Sequence, residues 1–199
     1  MDWSEALMEH FYQDIQGWFD YQNVYDIAIK SLPENSMVVE LGCWKGKSSC
    51  YLLTEALNSG KMLNISFIDT WAGSIEHLDP DCEFHEPELL TNKDYIWEIF
   101  NQNIAKINYP KCLFRRDTFD AVSFFEDNSI SFLYIDTAHE YEHVIKEIDA
   151  WYPKVKLGGI IAGHDYFTPG VNKAVNEFFD IRPHPLIHIG ASWVAFKNY

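Results

Sequence analysis

The chain is short of positive charge. Fifteen lysines and arginines stand against 30 aspartates and glutamates, a formal net charge of −15 at pH 7. That deficit argues against nucleic acid or an anionic membrane surface as a partner, because both repel a negative protein. Cysteine is sparse as well. The four present (Cys43, Cys50, Cys82, Cys112) form no C-x-x-C pair, which points away from a zinc site or a disulfide framework and fits free thiols in a reducing compartment. No apolar run approaches the roughly 20 residues of a membrane helix. The opening MDWSEALMEH is acidic and amphipathic, where a signal peptide is basic with an apolar centre. The expectation is a cytoplasmic protein. Also missing is the G-x-G-x-x-G of dinucleotide folds, which disfavours a nicotinamide oxidoreductase.

What is present suffices for a sizeable core. With 199 residues, 47% hydrophobic and 16% aromatic, the chain reads as one domain, 1–199, without repeats. Leu7, Met8, Phe11, Ile15, Trp18 and Phe19 recur at helical spacing and predict an amphipathic helix over residues 3–20. A second helix is expected over 22–31, ending before Pro33, so that 1–32 forms a helical cap. Strands and helices then alternate. Strands are expected at 37–41, 63–69, 111–115, 131–136 and 159–164, with helices at 48–58, 140–155 and 171–179. Two closing strands follow near 185–189 and 192–196. Such βα alternation implies a doubly wound, mostly parallel seven-stranded α/β sheet, and the final hairpin implies an antiparallel C-terminal edge. Residues 71–93 do not fit the alternation. They are long, polar and rich in acids, and they leave the C-terminal end of a strand, where open α/β sheets bind ligands. They read as a lid over the substrate.

The most informative run is VVELGCWKGKSS, Val38 to Ser49. An apolar strand ends on Glu40, two glycines (Gly42, Gly46) follow four residues apart, and a helix opens at Ser48. Glycine there permits positive φ and a close backbone approach to a ligand. Acids recur at the ends of the expected strands: Glu40, Asp69, Asp117, Asp136 and Asp165, with His139 and His164 nearby. One such acid is more often a turn or capping residue, so the functional reading rests on the set. Asp136, His164 and Asp165 are candidate ligands for a divalent cation. Their oxygen-rich chemistry suits magnesium or manganese better than zinc.

Three blocks carry a family resemblance: VVELGCWKGKSS, FIDTW, and YIDTAHEYEHVIKEIDAWYPKVKLGGIIAGHDY, with NKAVNEFF and SWVAF after them. From about Gly17 onward the chain resembles class I S-adenosylmethionine (SAM) methyltransferases with a Rossmann-like sheet. It is most similar to the branch of macrolide-sugar and aminocoumarin-sugar O-methyltransferases and cephalosporin hydroxylase-like proteins. The resemblance implies that Gly42 and Gly46 shape the turn around the methionine part of SAM, with Glu40 and Cys43 in the same motif. Trp44 would contact that part, and Ser48 would bond its carboxylate. It further implies Asp69 on the ribose hydroxyls, Thr70 and Trp71 beside the adenosine, and Asp117 with Thr118 near the adenine amine. Asp136 would serve the SAM amine, the metal or both, and Asp165 matches a metal acid. His139 matches a general base. One departure stands out: His164-Asp165-Tyr166 occupies the place where metal-dependent members carry two adjacent acids, or an acid and an amide.

The expected reaction is SAM-dependent methylation of a hydroxyl on a small polar acceptor such as a sugar or glycan. His139 and Asp136 would be the catalytic pair, assisted by Mg2+ at Asp136 and Asp165. An N-methyltransferase and a non-catalytic SAM-binding partner protein are the rival readings. The N-terminal helices either cap the site or mediate a homodimer, and the sequence leaves both open.

Overall fold

The computed structural model describes residues 7–182 and 185–198. Its centre is a seven-stranded sheet in the order β3-β2-β1-β4-β5-β7-β6. The strands are β1 (Met37–Leu41), β2 (Asn64–Asp69), β3 (Lys111–Arg115), β4 (Ile130–Ile135), β5 (Val155–Gly163), β6 (Leu186–Ile189) and β7 (Ser192–Phe196). The first five pair in parallel, while β7 runs antiparallel between β5 and β6. This is the Rossmann-like arrangement expected from the alternation, with the closing hairpin placed so that β6 takes the edge. The winding reverses between β1 and β4, the switch point where a ligand crevice opens beyond the strand ends.

The main helices are α1 (Gln22–Ser31), α2 (Lys47–Asn58), α4 (Tyr95–Ile104), α6 (Tyr141–Trp151) and α7 (Pro169–Asp180). Two single turns, α3 (Ile75–Leu78) and α5 (Thr118–Ala121), lie in connections. The buried strands feed both faces, as their two-residue period requires. Val38, Ile65, Phe67, Phe132 and Tyr134 join the cluster under α1, α2 and α4. Val39, Leu41, Ile68, Leu133 and Ile135 join the cluster under α6 and α7.

Three expectations need correction. Residues 7–20 form no α-helix; they hold a single 3-10 turn at Tyr12–Asp14, and residues 3–6 lie outside the described part. Gly17 sits at φ +131, a conformation a helix cannot include. The backbone of Met8 bonds instead to the Asn58 side chain of α2, at 2.8 and 2.9 Å. His10 stacks on Tyr51, with ring centroids 4.5 Å apart. The apolar spacing therefore serves a strap laid along α2. Second, the helix expected to reach residue 155 stops at Trp151. Pro153 lies in the following 3-10 turn, where its missing N–H would break a helix ladder, and β5 already begins at Val155. Third, residues 95–104 form a helix that was not anticipated, with Ile96, Phe100 and Ile104 buried.

Candidate functional site

The crevice is lined by the connections that leave β1, β2, β4 and β5. After β1, Gly42 adopts φ +80, and a Cβ there would lie 1.8 Å from the Asp136 carbonyl oxygen. Glycine is thus what lets this turn pass against the end of β4. At Gly46, with φ +87, a Cβ would lie 3.0 Å from the Phe100 ring. Trp44 (φ +49), Trp71 (φ +50) and Asp165 (φ +56) all take left-handed backbone. Such residues each cost about 1–3 kcal/mol and collect at functional sites. Among the described residues the other two non-glycine cases are asparagines, which tolerate the conformation.

Asp69 organises this side. Its Oδ2 accepts from the Cys43 and Trp44 N–H groups at 2.8 and 2.9 Å, and its Oδ1 from the Trp71 N–H at 2.7 Å. Burial pushes its carboxyl above the usual range, and those N–H groups pull it back. Glu40 is fully buried. The Ser48 hydroxyl donates to its Oε1 at 2.5 Å, while Oε2 meets no hydrogen-bond partner. Burial pushes the Glu40 carboxyl up to about 8, so it is largely protonated at neutral pH. The Cys43 thiol is buried and also pushed up.

The side formed by β4 and β5 is different. His139 Nε2 lies 3.0 Å from Asp165 Oδ2. His164 has carboxylates at both nitrogens: Asp165 Oδ2 is 3.2 Å from Nδ1, and Asp20 Oδ1 is 2.7 Å from Nε2. Asp136 Oδ1 lies 4.0 Å from His164 Nδ1, and its Oδ2 accepts from the Tyr21 hydroxyl at 2.8 Å. The carboxylates hold His164 above its ordinary value against its own burial, at about 9. The hydrogen bond to Asp165 raises His139. Asp165, beside both imidazoles, falls well below the carboxylate range. Burial takes Asp136 up to about 6.

Of the residues singled out in the sequence, Asp136, His139, His164 and Asp165 line one pocket. Others have partners of their own. Ser48 points inward at Glu40. Trp71 is buried against Trp97 and Phe100, with both ring centroids 4.6 Å away. Thr70 is exposed, and its hydroxyl accepts from the Ala72 N–H at 3.2 Å. Asp117 caps α5 by accepting from the Phe119 N–H at 2.9 Å. Thr118 is buried and donates to Glu147 Oε1 at 2.5 Å. Glu147, which also accepts from Thr137, was not singled out, and neither were Asp20, Tyr21, Lys45 and Glu86. Lys45 was in plain view between the two glycines.

SAM fits the first side. The Trp44 indole N–H is buried without an acceptor, and the α2 N-terminus beside it has no side-chain cap. The turn thus offers donors to a carboxylate. For a cation, Asp136, His164 and Asp165 each bring a ligand atom within 4.8 Å of the others. The two carboxylates are hard oxygen donors suited to Mg2+. His164 is the poor member, since it must release an aspartate before it can ligate.

A family model described as a methyltransferase domain matches residues 39–166, more than half of the chain. The protein belongs to that methyltransferase-domain family. It is 24% identical over 158 residues to an uncharacterized protein of Sinorhizobium fredii, covering 78% of this chain and 16% of that one. It is 28% identical over 146 residues to an uncharacterized protein of Acanthamoeba polyphaga mimivirus, covering 70% of this chain and 57% of that one. The chain thus spans little more than half of one relative and under a fifth of the other. Among solved structures, the O-methyltransferase NovP shares the fold. Its TM-score is 0.65 at 17% identity, with 89% of this chain and 79% of that one covered. Among the described residues no helix is long and apolar enough to cross a membrane.

Proposed function

We propose that the chain transfers the methyl group of SAM to a hydroxyl of a small polar acceptor such as a sugar or glycan. SAM supplies the electrophilic methyl. The backbone of 42–46 would hold its methionine part, Asp69 the ribose hydroxyls and Asp136 the amine. Methyl transfer to oxygen is an in-line displacement, so the protein's tasks are alignment and removal of the acceptor proton. The observation that carries the reading is the His139–Asp165 pair at the crevice. With Nε2–H held by Asp165, the lone pair of Nδ1 is left for the acceptor proton, and the carboxylate stabilises the imidazolium that forms. The His139 side chain is 47% exposed, open enough for an acceptor to reach it.

A second reading adds a cation, for which the Asp136 and Asp165 carboxylates are the donors. It would lower the pKa of a bound hydroxyl. Labelled SAM with a panel of hydroxylated acceptors, with and without chelator, tests both. Transfer to hydroxyls that needs His139 supports the proposal. Transfer only to amines, indifferent to His139, overturns it. A chelator-sensitive rate supports the cation.

A further inference from the structure

Lys45 is 1% exposed, an unusual place for an ammonium group. Its Nζ donates to Glu86 Oε1 and to Gln16 Oε1, each at 2.7 Å. It also lies 5.3 and 5.0 Å from the ring centroids of Trp44 and Tyr95. Gln16 closes the triangle, its Nε2 donating to the same Glu86 oxygen at 2.7 Å. The Lys45 carbonyl accepts from Asn103 Nδ2 of α4 at 2.9 Å. Three segments outside the turn therefore meet on one of its residues: the strap through Gln16, the 71–93 segment through Glu86, and α4 through Asn103.

The neighbouring residue is gripped as well. The ring of His77 stacks on Trp44, with centroids 3.9 Å apart and planes at 24°. The Glu86 N–H donates to the His77 carbonyl at 2.9 Å, which joins the two grips. The segment from 71 to 93 thus holds the turn at two consecutive positions. Those positions adjoin the turn's two donors to Asp69, the Cys43 and Trp44 N–H groups. A buried ammonium is tolerated only beside its carboxylate, because removing one partner leaves a charge uncompensated.

We infer that Glu86 is a positioning residue for the cofactor turn, and that the 71–93 segment belongs to the SAM site as well as roofing the acceptor. This rests on the SAM-dependent reading above. Loss of Glu86 frees the Lys45 side chain, and the turn that meets the amino-acid portion of SAM loses its fixed shape. The adenosine portion would meet Asp69, which keeps its Trp71 N–H bond outside the turn and so is disturbed less.

Calorimetric binding of S-adenosylhomocysteine and of methylthioadenosine, which lacks the amino-acid portion, tests this on the full chain. Glu86→Gln keeps the size and an acceptor oxygen but removes the charge. It should weaken S-adenosylhomocysteine binding by about tenfold and methylthioadenosine binding distinctly less. A Lys45→Met/Glu86→Gln double variant should lose no more than the worse single one, because the pair acts as a unit. Unchanged S-adenosylhomocysteine affinity in Glu86→Gln overturns the inference, and so does an equal loss for both ligands. Should Glu86→Gln fail to fold, Gln16→Ala and His77→Ala carry the same comparison, each with a smaller loss that is greater for S-adenosylhomocysteine than for methylthioadenosine. Absence of binding by the wild type instead overturns the SAM-dependent reading itself.

Discussion

The two sides of the crevice are built on opposite plans. Beyond β1 and β2 the polar groups are turned on one another: Asp69 holds three backbone N–H groups, Ser48 serves Glu40, and Lys45 is paired inside the protein. Beyond β4 and β5 they are crowded and half exposed, with three aspartates and two histidines in contact and carboxylates shared between imidazoles. The polar groups of the first side are used up within the fold, while those of the second remain partly open to solvent. On the proposed function, this difference would separate binding the methyl donor from activating the acceptor, and it makes substitutions on the two sides distinguishable.

The largest effect belongs to the second side. His139→Ala should lower methyl transfer by about 10²–10⁴-fold, the usual worth of a positioned general base, with S-adenosylhomocysteine affinity and unfolding midpoint unchanged. Full transfer in that variant, measured with labelled SAM, would remove the base. On the first side the order reverses. Gly42→Ala drives a Cβ into the Asp136 carbonyl at a positive φ. A stability loss on the order of 3 kcal/mol is expected, read by urea unfolding; a loss below the error of that measurement would break the comparison.

Glu40 supplies a pH signature. Its carboxyl is raised in the folded state to about 8 from an ordinary 4.5, so the native protein binds a proton that the unfolded chain releases. Its contribution is complete below pH 4.5 and is lost as pH rises toward 8. The Glu40 share of the slope is at most about 1.4 kcal/mol per pH unit. Glu40→Gln should flatten the decline over that window, and a parallel decline in both proteins would show that Glu40 ionises normally. The smallest effect is expected at Asp117, where Ala removes the α5 cap. About 1 kcal/mol of stability should go, with transfer nearly intact; a large fall in cofactor affinity would give Asp117 a direct role in binding.

The sheet was legible because its central strands are short apolar runs, too short for helices, alternating with helical stretches. The glycine turn was legible because few other structures need two glycines four residues apart after a strand. The strap was misread for a physical reason. An apolar repeat near three and four residues says which side chains are buried, and a chain pinned residue by residue on α2 satisfies it as well as a helix does. Helix α4 carried a readable signal in Ile96, Phe100 and Ile104, spaced by four, hidden between a polar lid and a short strand. Asp20 and Tyr21 carried none. Their partners lie far along the chain, and nothing local marks an aspartate as the counter-charge of a distant histidine. Lys45 was readable as a residue of the motif but not as a buried one, since lysine is seldom buried.

The strap closes the acid–histidine cluster with contacts of long sequence separation: Tyr21 reaches Asp136 across 115 positions, and Asp20 reaches His164 across 144. Contacts of this kind carry a high loop-closure entropy and form after the local elements have docked. The cluster is therefore expected to need the sheet in place, since β4 and β5 hold Asp136 and His164 in register. By the same reasoning it opens first. Amide exchange at residues 16–21 should run well ahead of exchange in β1 and β4, so that the chemistry of the site is governed by a local opening equilibrium that leaves the sheet intact.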